Sequence, residues 1–275
     1  MAKRFFKRGP TQTWKDKTVL VTGASSGIGE ALARQLAARG ARVLLAARRR
    51  PQLERVGRSL DHADRHRVWS VDLADSVQLP HWAKALQEQV GQIDALFANA
   101  GVSQRSLALE TRLQVERRLF ALNYWAPVIL AKTLAPPMVE RGEGQICVVS
   151  SVMGKLGTPN RSTYAATKHA LHGYFDCLRA ELKESGVSVT LAVPGYVRTE
   201  ISVNALTGDG SPLGAMRRGT AAGLDPDTCA NRIVGAVEKG RDEVLIAGLK
   251  AAAAVWLKRA SPSLLNRVVA RMPDA

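Results

Sequence analysis

The sequence predicts an α/β fold, a doubly wound parallel sheet of about seven strands with helices on both faces. Three observations carry this expectation. Short apolar, β-branched runs alternate along the chain with stretches of helical spacing, as strands and their crossover helices do. The first run leads directly into a glycine-rich turn and then a helix. Several runs end in polar or glycine-rich residues, which would gather chemistry along one edge of the sheet. The strands are expected at 18–22, 42–47, 67–71, 94–98, 145–150, 187–193 and 243–247. A chain of 275 residues with 46% hydrophobic content can bury one sizeable core, and motifs spread along its length argue for one domain rather than two. The expected plan is a flexible basic extension at 1–16, a single domain at 17–248 and an amphipathic C-terminal extension at 249–275.

The first strand, Thr18-Val19-Leu20-Val21, is followed by Thr22-Gly23-Ala24-Ser25-Ser26-Gly27-Ile28-Gly29, and apolar residues then recur at Ile28, Leu32, Ala33 and Leu36. Strand, glycine turn and helix is the context a dinucleotide site requires. Gly23 would allow a sharp turn, Gly27 a close approach of backbone to pyrophosphate, and Gly29 tight packing of helix on sheet, with the helix N–H groups facing the phosphates.

Tyr164 and Lys168 are i and i+4, so on a helix they share one face. A phenol with a pKa of about 10 is a poor proton shuttle at neutral pH. An ammonium at about 5 Å and an effective dielectric of about 20 would favour phenolate by roughly 3 kcal/mol, on the order of two pK units. Ser150-Ser151 follow the run Ile146-Cys147-Val148-Val149, Asn99-Ala100-Gly101 end Ala95-Leu96-Phe97-Ala98, and Pro194-Gly195 end Val189-Thr190-Leu191-Ala192-Val193. Together with the glycine turn, four strand ends would deliver these groups to one edge.

With these residues in order, the sequence closely resembles the short-chain dehydrogenase/reductase family, whose fold is a Rossmann-type sheet. The resemblance rests on TGASSGIG at 22–29, Asp72-Leu73, ANAG at 98–101, Asn123, Ser151, YAATK at 164–168 and PGYVRT at 194–199. It implies that Tyr164 is the catalytic acid/base, that Lys168 lowers its pKa and holds the nicotinamide ribose, and that Ser151 polarises the substrate carbonyl. Asn123 would support a proton-relay water near Lys168. The cofactor would lie on Gly23, Ser25, Ser26, Gly27, Ile28, Gly29, Asp72, Leu73, Asn99, Ala100, Gly101, Pro194 and Gly195, with Thr199 and the backbone near Val197 on the carboxamide. Ala98 departs from the asparagine many members carry there, and Asn99 remains. The activity implied is hydride transfer between nicotinamide and a carbonyl or secondary alcohol.

Charge bears on the cofactor. The second strand ends in Ala47-Arg48-Arg49-Arg50 with no acid to repel a 2′-phosphate. NADP(H) is therefore expected ahead of NAD(H), with Arg48 as the main contact and Ser25 as a helper. The formal charge of +15 fits attraction for an anionic ligand, while dispersed basic residues, 5% aromatic content and the lack of any reading module argue against a specific nucleic-acid partner. Cys147, Cys177 and Cys229 form no C-x-x-C spacing and read as reduced, mostly packed residues of a cytoplasmic protein. No metal site is expected, because His169 and His172 have no further ligand set. Both read as surface or subunit-contact residues.

The glycine-rich stretch from Thr199 to about Asp227 is expected to form a mobile substrate lid. Beyond Val244-Leu245-Ile246 the chain continues through LKAAAAVWLKRASPSLLNRVVARM, an extension similar to family branches acting on lipophilic carbonyls. Leu264, Leu265, Val268, Val269 and Met272 would form one apolar stripe beside Arg267 and Arg271. That stripe could lie on an anionic membrane surface or pack on protein, and Pro262 keeps it from spanning. The resemblance also implies a homodimer or homotetramer through helices near 110–135 and 164–184. Two alternatives stay open on sequence alone: a catalytically silent NADP(H)-sensing protein, and a ketoacyl-thioester reductase.

Overall fold

The computed structural model describes residues 13–271. Its seven strands are β1 (Thr18–Thr22), β2 (Arg42–Ala47), β3 (Arg67–Ser70), β4 (Ala95–Ala98), β5 (Gly144–Val149), β6 (Val187–Pro194) and β7 (Glu243–Ile246). They form one parallel sheet in the order β3-β2-β1-β4-β5-β6-β7. Every expected strand is present, with ends shifted by at most one residue. The order reverses between β1 and β4, and a parallel sheet opens a ligand crevice at such a point, outside the strand carboxyl ends.

The helices are α1 (Gly27–Ala37), α2 (Arg50–Ser59), α3 (Leu79–Val90), α4 (Leu113–Phe120), α5 (Ala126–Glu140), α6 (Ser162–Glu181), α7 (Arg218–Ala221), α8 (Pro226–Glu238), α9 (Leu249–Ala260) and α10 (Pro262–Ala270). The two-residue period of the strands sorts the core into layers. Val19 and Val21 of β1 pack with α1, α2 and α8, whereas Leu20 between them packs with α3, α5 and α6. The five inner strands are thus apolar on both faces and read as continuous hydrophobic runs, while the edge strands β3 and β7 are partly exposed.

One boundary differs from expectation, and at the other end one of the two open alternatives holds for part of the stripe. The flexible extension expected through residue 16 gives way to packed structure by Trp14, which is 1% exposed, lies 5.7 Å from the Phe97 ring and donates from its indole nitrogen to Glu238. The remainder of that extension lies outside the described residues. At the other end, the stripe is divided: Leu265 is buried against Val152, Met153 and Tyr164, with Val269 packed beside it, while Leu264 and Val268 face outward. Met272 lies outside the described residues. An apolar side chain with a vacant neighbouring surface is covered by the molecule's own core, and here that core belongs to the chemical edge of the sheet.

Trp14→Ala should lower the unfolding free energy by about 3–5 kcal/mol, as large aromatic truncations in cores do. Urea denaturation measures this, and a loss below about 1 kcal/mol would show that the packed domain does not begin at Trp14.

Candidate active site

The end of β1 is tied to the end of β4 by a short hydrogen-bonded knot. Thr22 Oγ1 accepts from the backbone N–H groups of Asn99 (3.0 Å) and Ala100 (3.1 Å), and Asn99 Nδ2 donates to the Thr22 carbonyl at 3.0 Å. The glycine turn is pressed against this knot. A Cβ at Gly29 would come 2.2 Å from the Gly23 carbonyl oxygen and 2.5 Å from Asn99 Nδ2, so no larger residue fits. Gly27 has φ +59°, in the left-handed region, and lies against the Thr199 side chain. Ser26 caps α1 without a side-chain hydrogen bond, so the first-turn N–H groups at Gly27, Ile28 and Gly29 remain available to an anion.

These groups open onto a cleft of about 420 Å³ at the reversal point. Of the expected cofactor residues, Gly23, Ser25, Ser26, Gly27, Ile28, Arg48, Asp72, Leu73, Asn99, Ala100, Gly101 and Thr199 line it. Gly29 packs against Gly23 and Asn99 of this lining, whereas Pro194, Gly195, Val197, Tyr164 and Lys168 do not line the cleft, and the Gly195 N–H donates to the Ile246 carbonyl. A glycine cradle with no room for side chains and unpaired helix N–H groups fits a dinucleotide phosphate.

Two features of this cleft were not anticipated. Arg49 donates to Ser25 Oγ (3.2 Å) and Ser26 Oγ (2.9 Å), fixing a second guanidinium beside Arg48. Glu200, Ile201, Asn204, Leu206 and Pro212 also line the cleft, and Glu200 lies 3.8 Å from the Arg49 guanidinium. They belong to the expected lid, which is stapled to the β4–α4 loop by Leu206 N–H to Ser103, Arg105 N–H to Leu206 and Arg112 N–H to Gly208.

The residues expected to handle the proton converge at the ends of β4 and β5. Tyr164 and Lys168 are buried on α6, and the Ser151 hydroxyl, just past β5, accepts from the Met153 N–H and lies near enough to the Tyr164 phenol to favour its ionised form. Lys168 Nζ lies 5.8 Å from the Tyr164 ring centre and donates to the Val149 carbonyl at 2.9 Å. Asn123 sits in a π turn between α4 and α5, where it bonds both backbone groups of Val102 and reaches Thr167. A Cβ at Gly101 would lie 3.2 Å from Asn123 Oδ1 and 3.7 Å from Lys168 Nζ, so the bare backbone of Gly101 joins these groups to the cleft.

Burial controls the titration of this pair. It pushes the Tyr164 phenol above its ordinary value, partly offset by the Ser151 hydroxyl and the Arg161 charge. The net direction is opposite to the lowering expected from Lys168, because at this separation the ammonium counts for less than removal of the phenol from water. Burial also lowers Lys168 to about 8.

Gln104, fully buried in the loop after β4, is a residue that no pattern marked. Its Oε1 accepts from the N–H groups of Thr163 (2.9 Å) and Tyr164 (3.1 Å), capping the helix that carries the phenol. The histidines also separate. His169 is exposed, but His172 is buried rather than at the surface, with Nε2 3.1 Å from Ser150 Oγ and Nδ1 3.4 Å from Glu243. The reason is that α6 crosses the end of β5 there, and β7 brings Glu243 alongside. Among the described residues there is no cluster of three or more metal-ligating side chains.

A strand-edge cleft fit for a dinucleotide, next to a buried Ser, Tyr and Lys set, defines a nicotinamide-dependent oxidoreductase. The model of the short chain dehydrogenase family matches residues 17–209, and the chain belongs to that family. Dehydrogenase/reductase SDR family member 7B of Danio rerio is 41% identical over 93% of this chain and 85% of its own. Among solved structures, a short-chain dehydrogenase/reductase from Burkholderia phymatum in complex with NAD superimposes with a TM-score of 0.81 at 25% identity, covering 92% of this chain and 96% of its own. A metagenomic short-chain oxidoreductase in complex with NADP gives 0.71 at 29% identity, covering 86% and 99%.

Two outcomes test the site's construction. Gln104→Met should leave the Thr163 and Tyr164 N–H groups unpaired and cost about 1–3 kcal/mol in denaturant unfolding; an unchanged midpoint would remove Gln104 from the account. Lys168 binds fewer protons folded than unfolded between about 8 and its ordinary value near 10.5, so its contribution to stability rises with pH across that window. Comparing wild type with Lys168→Met at the two ends should show that rise in wild type only, and parallel behaviour would contradict the burial of a titrating Lys168.

Proposed function

We propose that this enzyme is an NADP(H)-dependent carbonyl reductase or secondary-alcohol dehydrogenase for lipophilic substrates, with Tyr164 as the acid/base. The observation that carries the reading is the burial of Tyr164 and Lys168 one turn apart on α6 beside the Ser151 hydroxyl, with Gly101 joining Lys168 to the dinucleotide cleft. When bound, the nicotinamide supplies or accepts the hydride. Tyr164 donates the proton to the carbonyl oxygen, and a phenol held in its acid form by burial suits that direction at neutral pH. Ser151 Oγ, beside the phenol, donates to the same oxygen and polarises the carbonyl. Lys168 holds the ribose and returns a proton to Tyr164, and a water supported by Asn123 near Lys168 restores that proton from solvent. A complete proton path of this kind disfavours a merely sensing protein.

NADP(H) preference is supported by Arg48 and Arg49 at the cleft, with Ser25 and Ser26 orienting the latter. Lipophilic substrates are supported by outward-facing Leu107, Leu109, Ile201 and Met216. Exposed Leu113 and Trp125 would serve a homodimer or homotetramer. Leu249, Trp256, Leu264 and Val268, exposed among basic residues of α9 and α10, would serve peripheral contact with an anionic membrane by a cytoplasmic protein.

Tyr164→Phe should lower kcat for ketone reduction at least about 100-fold with NADPH affinity nearly unchanged, since a general acid contributes about 10²–10⁴-fold; near-normal turnover would refute the mechanism. In wild type the rate should hold through neutral pH and fall only in the alkaline range where the phenol ionises. Arg48→Ala and Arg49→Ala should each narrow the ratio of kcat/KM for NADPH over NADH by about tenfold or more, as loss of a charge-assisted contact does. Equal efficiency of wild type with both cofactors would overturn the preference.

A further inference from the structure

Arg161 occupies the position before α6, one helical turn ahead of Tyr164, and it is only 7% exposed. Its surroundings do not neutralise it. Nε is buried with no partner, one terminal nitrogen stands 3.5 Å from the Tyr196 hydroxyl, at the outer limit of a hydrogen bond, and the guanidinium carbon lies 5.6 Å over the centre of the Tyr196 ring. Among the described residues no carboxylate pairs with it. Other arginines are treated differently: Arg34 is forked onto Asp227, Arg39 reaches Glu238, and Arg141, whose Nε is likewise unpaired, spends both terminal nitrogens on the Pro137 and Ile93 carbonyls.

A guanidinium removed from water and left unpaired is costly, and proteins retain such a group where a partner arrives later. Arg161 at the cap of α6 and Tyr164 in its first turn are i and i+3, neighbours along one side of the helix, so an arriving partner would sit beside the phenol. Tyr196, half exposed and set on Gly219 of the 200–227 segment, forms the outer wall and offers its hydroxyl as a second donor.

We propose that Arg161, assisted by Tyr196, anchors an oxyanion carried by the carbonyl substrate, a carboxylate or a phosphate monoester within a few bonds of the reacting carbon. The inference rests on the reductase reading above and narrows its substrate class to anionic carbonyl compounds whose remainder is apolar. A planar, permanently charged fork matches both oxyanions, and a neutral ketone would leave it unpaired. Arg161 is then a specificity residue: it discriminates between substrates, and the proton still comes from Tyr164.

The test uses matched pairs: a keto acid against its methyl ester, and a ketone bearing a phosphate monoester against its dephosphorylated form. Wild type should show a KM at least about tenfold lower for the anionic member of one pair, which also distinguishes carboxylate from phosphate, a difference of about 1.4 kcal/mol. Arg161→Met should raise that KM about tenfold or more while leaving kcat/KM for the neutral member within about threefold, and Arg161→Lys should retain part of the preference. Equal losses on both members, accompanied by a shifted pH profile, would overturn the proposal and make Arg161 a positioning residue acting through Tyr164. If Arg161→Met does not fold, the wild-type comparison decides, since absence of any preference for either anion overturns the proposal without a variant. Failure to reduce any carbonyl with NADPH would count against the reductase reading instead. The anchor would then be read by thermal shift with the keto acid and the phosphorylated ketone, where stabilisation lost in Arg161→Lys supports it and no stabilisation of wild type overturns it.

Discussion

The contact between Thr22 and Asn99, with Gly29 wedged against Asn99 and the Gly23 carbonyl, is the constraint on which the rest of the site depends. Two parallel strands diverge after β1 and β4, and nothing in a sheet ladder holds their ends together once they separate. Thr22 Oγ1 and Asn99 Nδ2 do so through three hydrogen bonds. Because α1 starts within van der Waals distance of that knot, its unpaired N–H groups are fixed relative to the β4 end. The β4 end in turn fixes Gly101, and through Gly101 the position of Asn123 and Lys168. Cofactor cradle and proton-handling groups therefore share one rigid reference.

Depth is what gives the proton-handling groups their chemistry. Tyr164 is covered from one side by Val152 and Met153 and, in the same cluster, by Leu265 of the C-terminal extension. Burial then raises the phenol and lowers the lysine, so both groups are biased toward their neutral forms. The α9–α10 segment is thus part of the dielectric environment of the reaction as well as a candidate contact surface. Gln104 acts at the N-terminal end of α6, which carries Tyr164, setting where its first turn begins.

The sheet was legible because its strands are buried on both faces: runs such as Val43-Leu44-Leu45-Ala46 have no polar alternation to obscure them, and the glycine positions follow from contacts that any such turn must make. The Tyr164–Lys168 pair was legible because an i, i+4 spacing on a helix is local, whereas the roles expected of it, of Ser151 and of Asn123 came from the family resemblance. What escaped depends on tertiary contact. Gln104 lies in an irregular loop and meets α6 from a sequence distance of about sixty residues, so no period marks it. His172 reads as a surface residue until β7 is placed beside α6. The direction of the Tyr164 shift could not be obtained from the lysine spacing alone, because it turns on how completely Leu265 and its neighbours exclude water. Trp14 was hidden by the basic residues around it, which suggest a tail, although one buried indole is enough to fix where the domain starts.

The central claim is that this strand edge brings a nicotinamide and the Ser151–Tyr164 pair onto one carbonyl. The most direct measurement is to supply NADPH stereospecifically deuterated at nicotinamide C4, one label position at a time, with a ketone in ordinary water, and to locate the label by NMR. The account predicts deuterium on the carbinol carbon from one of the two positions only, since a fixed cleft presents one face of the ring. Carbinol product without carbon-bound deuterium from either position, or equal transfer from both, would contradict it.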